Sequence, residues 1–480
     1  MNPRGTENTG ILCALCVSGV LLFTACVAHP PAVPSPAIPT TGPFPVLLAL
    51  GDARAATGQR TAAEDAYRQA AAARPSDPAP ALRLALLYVE WNRPAEGLAA
   101  LDEARQRGAA AAQVEPLLSA LYAAQGDWTA VVEHGTAALV LDPTDAAAHH
   151  LLAQAYVNLG RADEAQAAYQ ALVAADPTDS LAHERLGGLL ALSDPAAARP
   201  HLQAAATPLA ADLLAVLDNA GDVPAYRLAR IGQACLEHGE PGLAALALRR
   251  AVVLNPAYAD GHALLGQALD ALGDPAAAQE HLETAARLAP DAVLARSLLG
   301  LHYLRQGNPT AARPHLESAY TLDPQNPAFS LYLATLYAAL GQYAAADIWW
   351  DEATRLAAQD PLIWEAMARF YLERGITSGQ RGWLAAHTLA SLAPQSGVAH
   401  DLLGWAHALA GRYDEAQDEL LRALELDPSL VSAYDHLGQL YTLQGRYEEA
   451  RVAFTRALDA NTDPALRSEI EDRLSLIAYR

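Results

Sequence analysis

Lysine does not occur in this chain of 480 residues, so all 32 of its basic side chains are arginine. That absence removes a P-loop, which needs its lysine on the nucleotide phosphates, and removes SxxK acyl-transfer chemistry. Positive charge is scarce altogether: 54 acidic side chains oppose the 32, for a formal net charge of −22. A surface of that sign argues against a nucleic-acid groove and against direct adhesion to anionic lipid. Aromatics supply 6% of the residues and hydrophobics 52%, so alanine carries much of the apolar content, as suits helices that pack closely through small faces. Cysteine occurs four times, at Cys13, Cys16, Cys26 and Cys235, a distribution that builds no disulfide framework in the body of the chain.

Long hydrophobic runs are equally scarce. The one that matters is Ile11 to Ala25 (ILCALCVSGVLLFTA), too short for a comfortable membrane span and of the length of a signal-peptide core. It ends in Phe23-Thr24-Ala25-Cys26, which resembles the lipobox of bacterial lipoproteins, where the cysteine becomes the lipidated first residue. Phe23 stands where leucine is commonest, and Arg4 is offset by Glu7. Lipidation at Cys26 is the leading expectation; ordinary secretory cleavage and an uncleaved anchor remain beside it, and all three export the body of the chain. Val27 to Pro43 is proline-rich and uncharged. Such a segment favours extended polyproline geometry and, at roughly 3.1 Å per residue, spans about 50 Å, a tether between a membrane and the body.

What the chain has in abundance is repetition. Gly266, Gly300, Gly404 and Gly438 each precede a second glycine by seven residues, and alanines follow each at twelve and nineteen residues, for example Ala450 and Ala457. Prolines keep the same period of 34, from Pro256 to Pro290 to Pro324 and from Pro394 to Pro428. In Val431 to Pro464, Tyr434, Leu437, Leu440 and Tyr441 make one helical apolar face, Gly445 allows a turn, and Ala450, Phe454, Ala457 and Leu458 build a second helix. The closing proline stops that helix. One antiparallel pair buries too little to stand alone, so stability comes from stacking.

These landmarks resemble the tetratricopeptide repeat: Gly438, Tyr441, Gly445, Ala450, Phe454 and Ala457 carry them in the last copy, and Tyr337, Gly341, Ala346, Trp350 and Ala353 in the ninth. The resemblance covers roughly residues 44–464 in twelve copies. It implies an all-α, right-handed α-solenoid of about twelve stacked antiparallel helix pairs with a C-terminal capping helix marked by Leu466, Ile470, Leu474 and Ile477. The expected organisation is a signal peptide at 1–25, a lipidated tether at 26–43, a first stack at 44–213, an irregular seam at 214–224, a second stack at 225–464 and the cap at 465–480. The second and third copies are weak, with Gly97 and Val131 replacing the first small alanine.

Catalytic signatures are missing: the sequence contains no HExxH, no GxSxG and no Cys/His pairing at metal spacing. His149, His183, His262 and His400 share one repeat position and His134, His281 and His315 another, so they read as packing residues spread along the stack. Cys235 takes the position that Tyr156, Tyr303, Tyr337 and Tyr441 fill elsewhere and reads as a buried structural thiol. No catalytic residue, cofactor or metal site is expected.

In the family that these repeats resemble, the first helices line a concave binding surface. That register offers Gln154, Asn158, Gln233, Gln267, Arg305, Arg369, Trp405, Asp435 and Gln439 as candidates for partner contact, with Asp270 among them. Family members that clamp a peptide carboxylate use lysines, which this chain lacks; Arg305 and Arg369 are left to make one acidic contact each. Trp405 is the strongest anchor candidate, or else packs on the adjoining helix. The expectation is a non-enzymatic, exported scaffold for protein or peptide partners, lipid-anchored to a bacterial membrane on its periplasmic or extracellular face. The alternative is a subunit of an envelope-synthesis or secretion complex, and a homo-oligomer is a third outcome.

Overall fold

The computed structural model describes residues 43–219, 221, 223–373 and 379–477. The apolar run, Cys26, the tether and part of the loop at 376–382 lie outside the described residues. All regular structure among the described residues is helical. Five helix pairs come first: α1 (Pro43–Ala56) with α2 (Arg60–Ala73), α3 (Ala79–Glu90) with α4 (Pro94–Gln106), α5 (Ala111–Gln125) with α6 (Trp128–Leu141), α7 (Ala146–Asn158) with α8 (Ala162–Ala175), and α9 (Ser180–Ala191) with α10 (Pro195–Ala205). A single helix, α11 (Pro208–Asn219), occupies the irregular segment. Seven pairs follow: α12 (Pro224–Glu237) with α13 (Pro241–Leu254), α14 (Ala259–Ala271) with α15 (Pro275–Leu288), α16 (Val293–Arg305) with α17 (Pro309–Leu322), α18 (Pro327–Ala339) with α19 (Tyr343–Leu356), α20 (Pro361–Glu373) with α21 (Gly379–Leu392), α22 (Gly397–Leu409) with α23 (Tyr413–Leu426), and α24 (Val431–Leu443) with α25 (Tyr447–Ala460). Helix α26 (Pro464–Ile477) ends the described chain.

Local chemistry sets these boundaries. Asp274 caps α15 by accepting from the Ala277 amide at 3.1 Å, and Asn308 does the same for α17, each followed by a proline whose missing N–H costs a first turn nothing. Gly445 turns between α24 and α25 at φ 73°, a left-handed angle that side chains resist. Within a pair the helices approach so closely that a Cβ on Gly438 would stand 2.6 Å from the Phe454 ring. Phe454 is 1% exposed and Ala450 and Ala457 are wholly buried, so the alanine pattern is the packing face of the second helix. Burying such a ring contributes about 1.5–3 kcal/mol.

The chain forms two compact units. The first holds residues 118–356, and in it one core cluster runs from Ala153 to Ala278, taking in Leu209, Ala210 and Leu213 of α11. Helix α11 joins this core because its leucines sit at helical spacing. At its start Ala206 takes φ 52°, a left-handed angle on a residue with a Cβ. Cys235 is wholly buried in the same cluster, and burial pushes its thiol well above the ordinary range.

The second unit joins residues 43–117 to residues 357–480. Its two segments interlock. Trp91, at the end of α3, is completely buried and donates its Nε1 to the Leu458 carbonyl of α25 at 3.0 Å. The Thr61 amide and hydroxyl both donate to Asp459 Oδ1 at 2.8 Å, and Arg60 reaches the Asp459 carbonyl at 2.8 Å. The guanidinium groups of Arg93 and Arg467 lie over the Trp91 ring at 4.7 and 4.1 Å. The cap helix therefore differs from a helix with a free charged side: Ile470 and Ile477 are buried as its pattern implies, but Arg467 is covered by Trp91.

Candidate functional site

Two of the candidate residues in the first unit stay half-exposed on first helices. Gln154 lies on α7 and Gln267 on α14, each with part of its side chain in solvent. Gln233 on α12 sits in a polar ladder, accepting from Arg230 at 3.1 Å and donating to Glu237 at 2.9 Å. Asn158 is different. Gly242 of α13 packs directly on its Oδ1, and Gly188 of α9 meets Leu243, so the start of α13 covers this part of the register. The groove reading does not hold at Asn158, because a later helix of the same chain already occupies the space.

Beneath that contact lies an ionic cluster that the sequence pattern does not reveal. Arg185 pairs with Glu240 at the start of α13 and stands 3.6 Å from Glu184, which also accepts from the Thr207 hydroxyl. Burial raises the Glu240 carboxyl above its ordinary range, against the pull of Arg185. Removing one partner from such a buried pair costs about 3–5 kcal/mol, so this cluster pins α9 to α13.

Neither candidate arginine is a free cation. Arg305 Nη2 contacts Asp270 at 2.5 Å, and the same carboxylate takes His302 Nδ1 at 2.8 Å, with His302 only 1% exposed. In the second unit Arg369 is held by Glu365 and Glu373, each at 3.0 Å from its own helix turn. Both positive charges are already neutralised, which corrects the expectation that they receive acidic groups of a partner.

Trp405 is half-buried and stacks on His436, ring centroids 4.7 Å apart and planes 9° from parallel. His436 Nδ1 lies 2.7 Å from Asp401, a carboxylate with no exposed surface that also accepts from Ser432 at 2.6 Å. Burial alone lowers an imidazole's affinity for protons, but Asp401 outweighs it and holds His436 above its ordinary value. Trp405 thus covers the His436–Asp401 pair across adjacent repeats and is packed on the adjoining helix. Asp435 is 5% exposed, accepts from Gln439 at 2.9 Å and from Arg473 of α26 at 2.7 Å, and is raised by burial. Gln439 is half-buried. The register reading thus yields four half-buried glutamines, two of them hydrogen-bonded within the chain, and five other residues engaged within it.

The shared histidine register has a definite structure. His149, His183, His262 and His400 each place Nε2 3.0–3.2 Å from the carbonyl of the proline six residues earlier, at Pro143, Pro177, Pro256 and Pro394. Arg296 fills the same role with Nε on the Pro290 carbonyl at 2.7 Å. Their other ends reach the second helix of the same repeat: His201, His281, His315 and Glu419 are the partners of His183, His262, Arg296 and His400. These side chains bolt each turn to both helices. Among the described residues no group of three or more His, Cys, Asp or Glu could hold a metal ion.

Fold and surface together define an α-solenoid of stacked antiparallel helix pairs. Family models described as tetratricopeptide or TPR repeat match residues 122–186, 263–327, 303–370, 404–445 and 431–464, so the pairs in those stretches are recognised as tetratricopeptide repeats. No curated protein sequence matches the chain. Among solved structures it is similar to yeast Tom70, at 14% identity over 90% of this chain and 95% of that one, TM-score 0.43. It is also similar to the APC/C hetero-tetramer Cut9-Hcn1, at 14% identity over 90% and 96%, TM-score 0.42. A tetratricopeptide repeat protein from Parabacteroides merdae matches at 16% identity over 53% and 98%, TM-score 0.43. At such scores these likenesses carry no argument about partners.

Proposed function

We propose that this chain is an exported, membrane-tethered scaffold whose first-helix faces bind protein or peptide partners without catalysing a reaction. The observation that carries the reading is the set of half-buried glutamines, Gln154, Gln233, Gln267 and Gln439, on first helices, where Gln233 and Gln439 also bond to Glu237 and Asp435 and the candidate arginines are neutralised within the chain. Amides donate and accept, so such faces suit the backbone of an extended or helical segment more than a single charged terminus. With both candidate arginines engaged, recognition of a terminal carboxylate is not the mode. The Phe23-Thr24-Ala25-Cys26 sequence supports lipid attachment at Cys26, and the proline-rich segment after it supports a tether.

The test is replacement of the four glutamines by alanine in the full chain, followed by cross-linking in cells and affinity capture. Loss of specific partners with an unchanged melting profile supports the reading. Retention of every partner sinks it.

A further inference from the structure

Two of the bolts are built from histidine alone. His183 of α9 and His201 of α10 hold their Nδ1 atoms 3.0 Å apart, and His262 of α14 and His281 of α15 repeat this at 3.0 Å. A carbonyl oxygen only accepts, so Pro177 and Pro256 fix the Nε2–H tautomer on His183 and His262, and their Nδ1 lone pairs point at the second ring. A ring N–H tied to a backbone carbonyl is the outer support that metal-ligating histidines show.

We propose that His183 with His201, and His262 with His281, are two-histidine sites for a divalent transition cation of tetragonal preference, Cu(II) or Ni(II). The separation suits adjacent ligands on one metal ion. With metal–nitrogen bonds of about 2.0–2.1 Å, nitrogens 3.0 Å apart subtend about 91–97°, the angle of adjacent ligands in a square-planar or octahedral shell. Water completes the coordination. In the metal-free pair His201 Nδ1–H donates to His183; on binding, that proton leaves to water and another returns to His201 Nε2, so a neutral pair releases no net proton.

The first pair is the stronger site. His183 and His201 both keep exposed surface, whereas His262 is only 9% exposed. The chain also supplies its own control, since Arg296 and His315 occupy the same two positions with a cation in place of one ligand.

The experiment titrates the full chain with CuCl2 in a non-coordinating buffer and counts imidazole-bound Cu(II) by electron paramagnetic resonance. His183→Arg and His262→Arg copy the Arg296 arrangement and so keep the bolt while deleting a ligand. Each is expected to lower the count by one, the pair by two, with His183→Arg removing the tighter site; His315→Ala leaves the count unchanged. Cu(II) is expected to raise the melting temperature of the wild type and not of the double variant. An unchanged count in a folded double variant, or equal loss in His315→Ala, overturns the assignment. If a variant melts early, His201→Gln and His281→Gln give the same count test.

Discussion

Replacing Trp91 by alanine should detach the first two repeats from the last. The side chain has no exposed surface, its Nε1 donates to the Leu458 carbonyl at 3.0 Å, and two guanidiniums lie on its ring. Truncating a buried tryptophan costs about 3–5 kcal/mol in lost transfer and cavity terms. The lost indole hydrogen bond adds about 1 kcal/mol, and two cation–π contacts about 1–2 kcal/mol more. The Leu458 carbonyl also accepts from the Asn461 amide at 3.3 Å, so it is not left bare. The expected cost is therefore about 5–8 kcal/mol, falling on the contact of α3 with α25 and α26. Hydrogen exchange resolved by peptide is the assay. In Trp91→Ala, protection is expected to fall in 447–477 as well as in 79–106, although these segments lie far apart in the chain. Lost protection confined to 79–106 would refute the interlock.

The remaining expectations concern titration, strain and anchoring. His315 is lowered by burial and by Arg296, so its contribution is present above the ordinary histidine value near 6.5 and lost as pH falls through the folded value. His436 is raised, so its contribution is present below that value and lost as pH rises through the folded one. Thermal melts against pH should therefore lose part of the acid limb in His315→Ala and part of the upper limb in His436→Gln; the opposite assignment contradicts the geometry. Ala206→Gly relieves a left-handed angle and should raise stability by about 0.5–1 kcal/mol in denaturant melts, with a loss speaking against strain there. Cys26→Ser should move the chain from the membrane to the soluble fraction and abolish lipid labelling; unchanged partition would end the lipidation proposal.

The helix pairs were legible because nearest-neighbour packing repeats, and repetition leaves a period. Gly438 against Phe454, the buried Ala450 and Ala457, and the Gly445 turn each recur at one register, so one copy explains the rest. Contacts that skip repeats leave no such trace. Nothing periodic announces that Trp91 meets Leu458 or that α13 covers Asn158, since each depends on the path that several repeats take together. Charge neutralisation was hidden for a related reason. Arg369 pairs within its own helix turn and could have been inferred from the spacing of Glu365 and Glu373, whereas Asp270 with Arg305 and Asp401 with His436 span neighbouring repeats. For Trp405 the register alone leaves an open anchor and packing on the adjoining helix side by side, and the stacked His436, set by the next copy, decides for packing.

The claim that first-helix faces are the working surface is tested most directly by a photo-cross-linking residue placed singly at Gln154, Gln267 and Gln439 in the full chain, with Val140, Val253 and Val452 of second helices as comparison positions. Those three valines are the more exposed, at 76%, 76% and 60%, so exposure alone favours them. The account predicts discrete cross-linked partners from the glutamine positions and none of the same species from the valines. Cross-links to the same partners from the valines, or none from the glutamines, would contradict it.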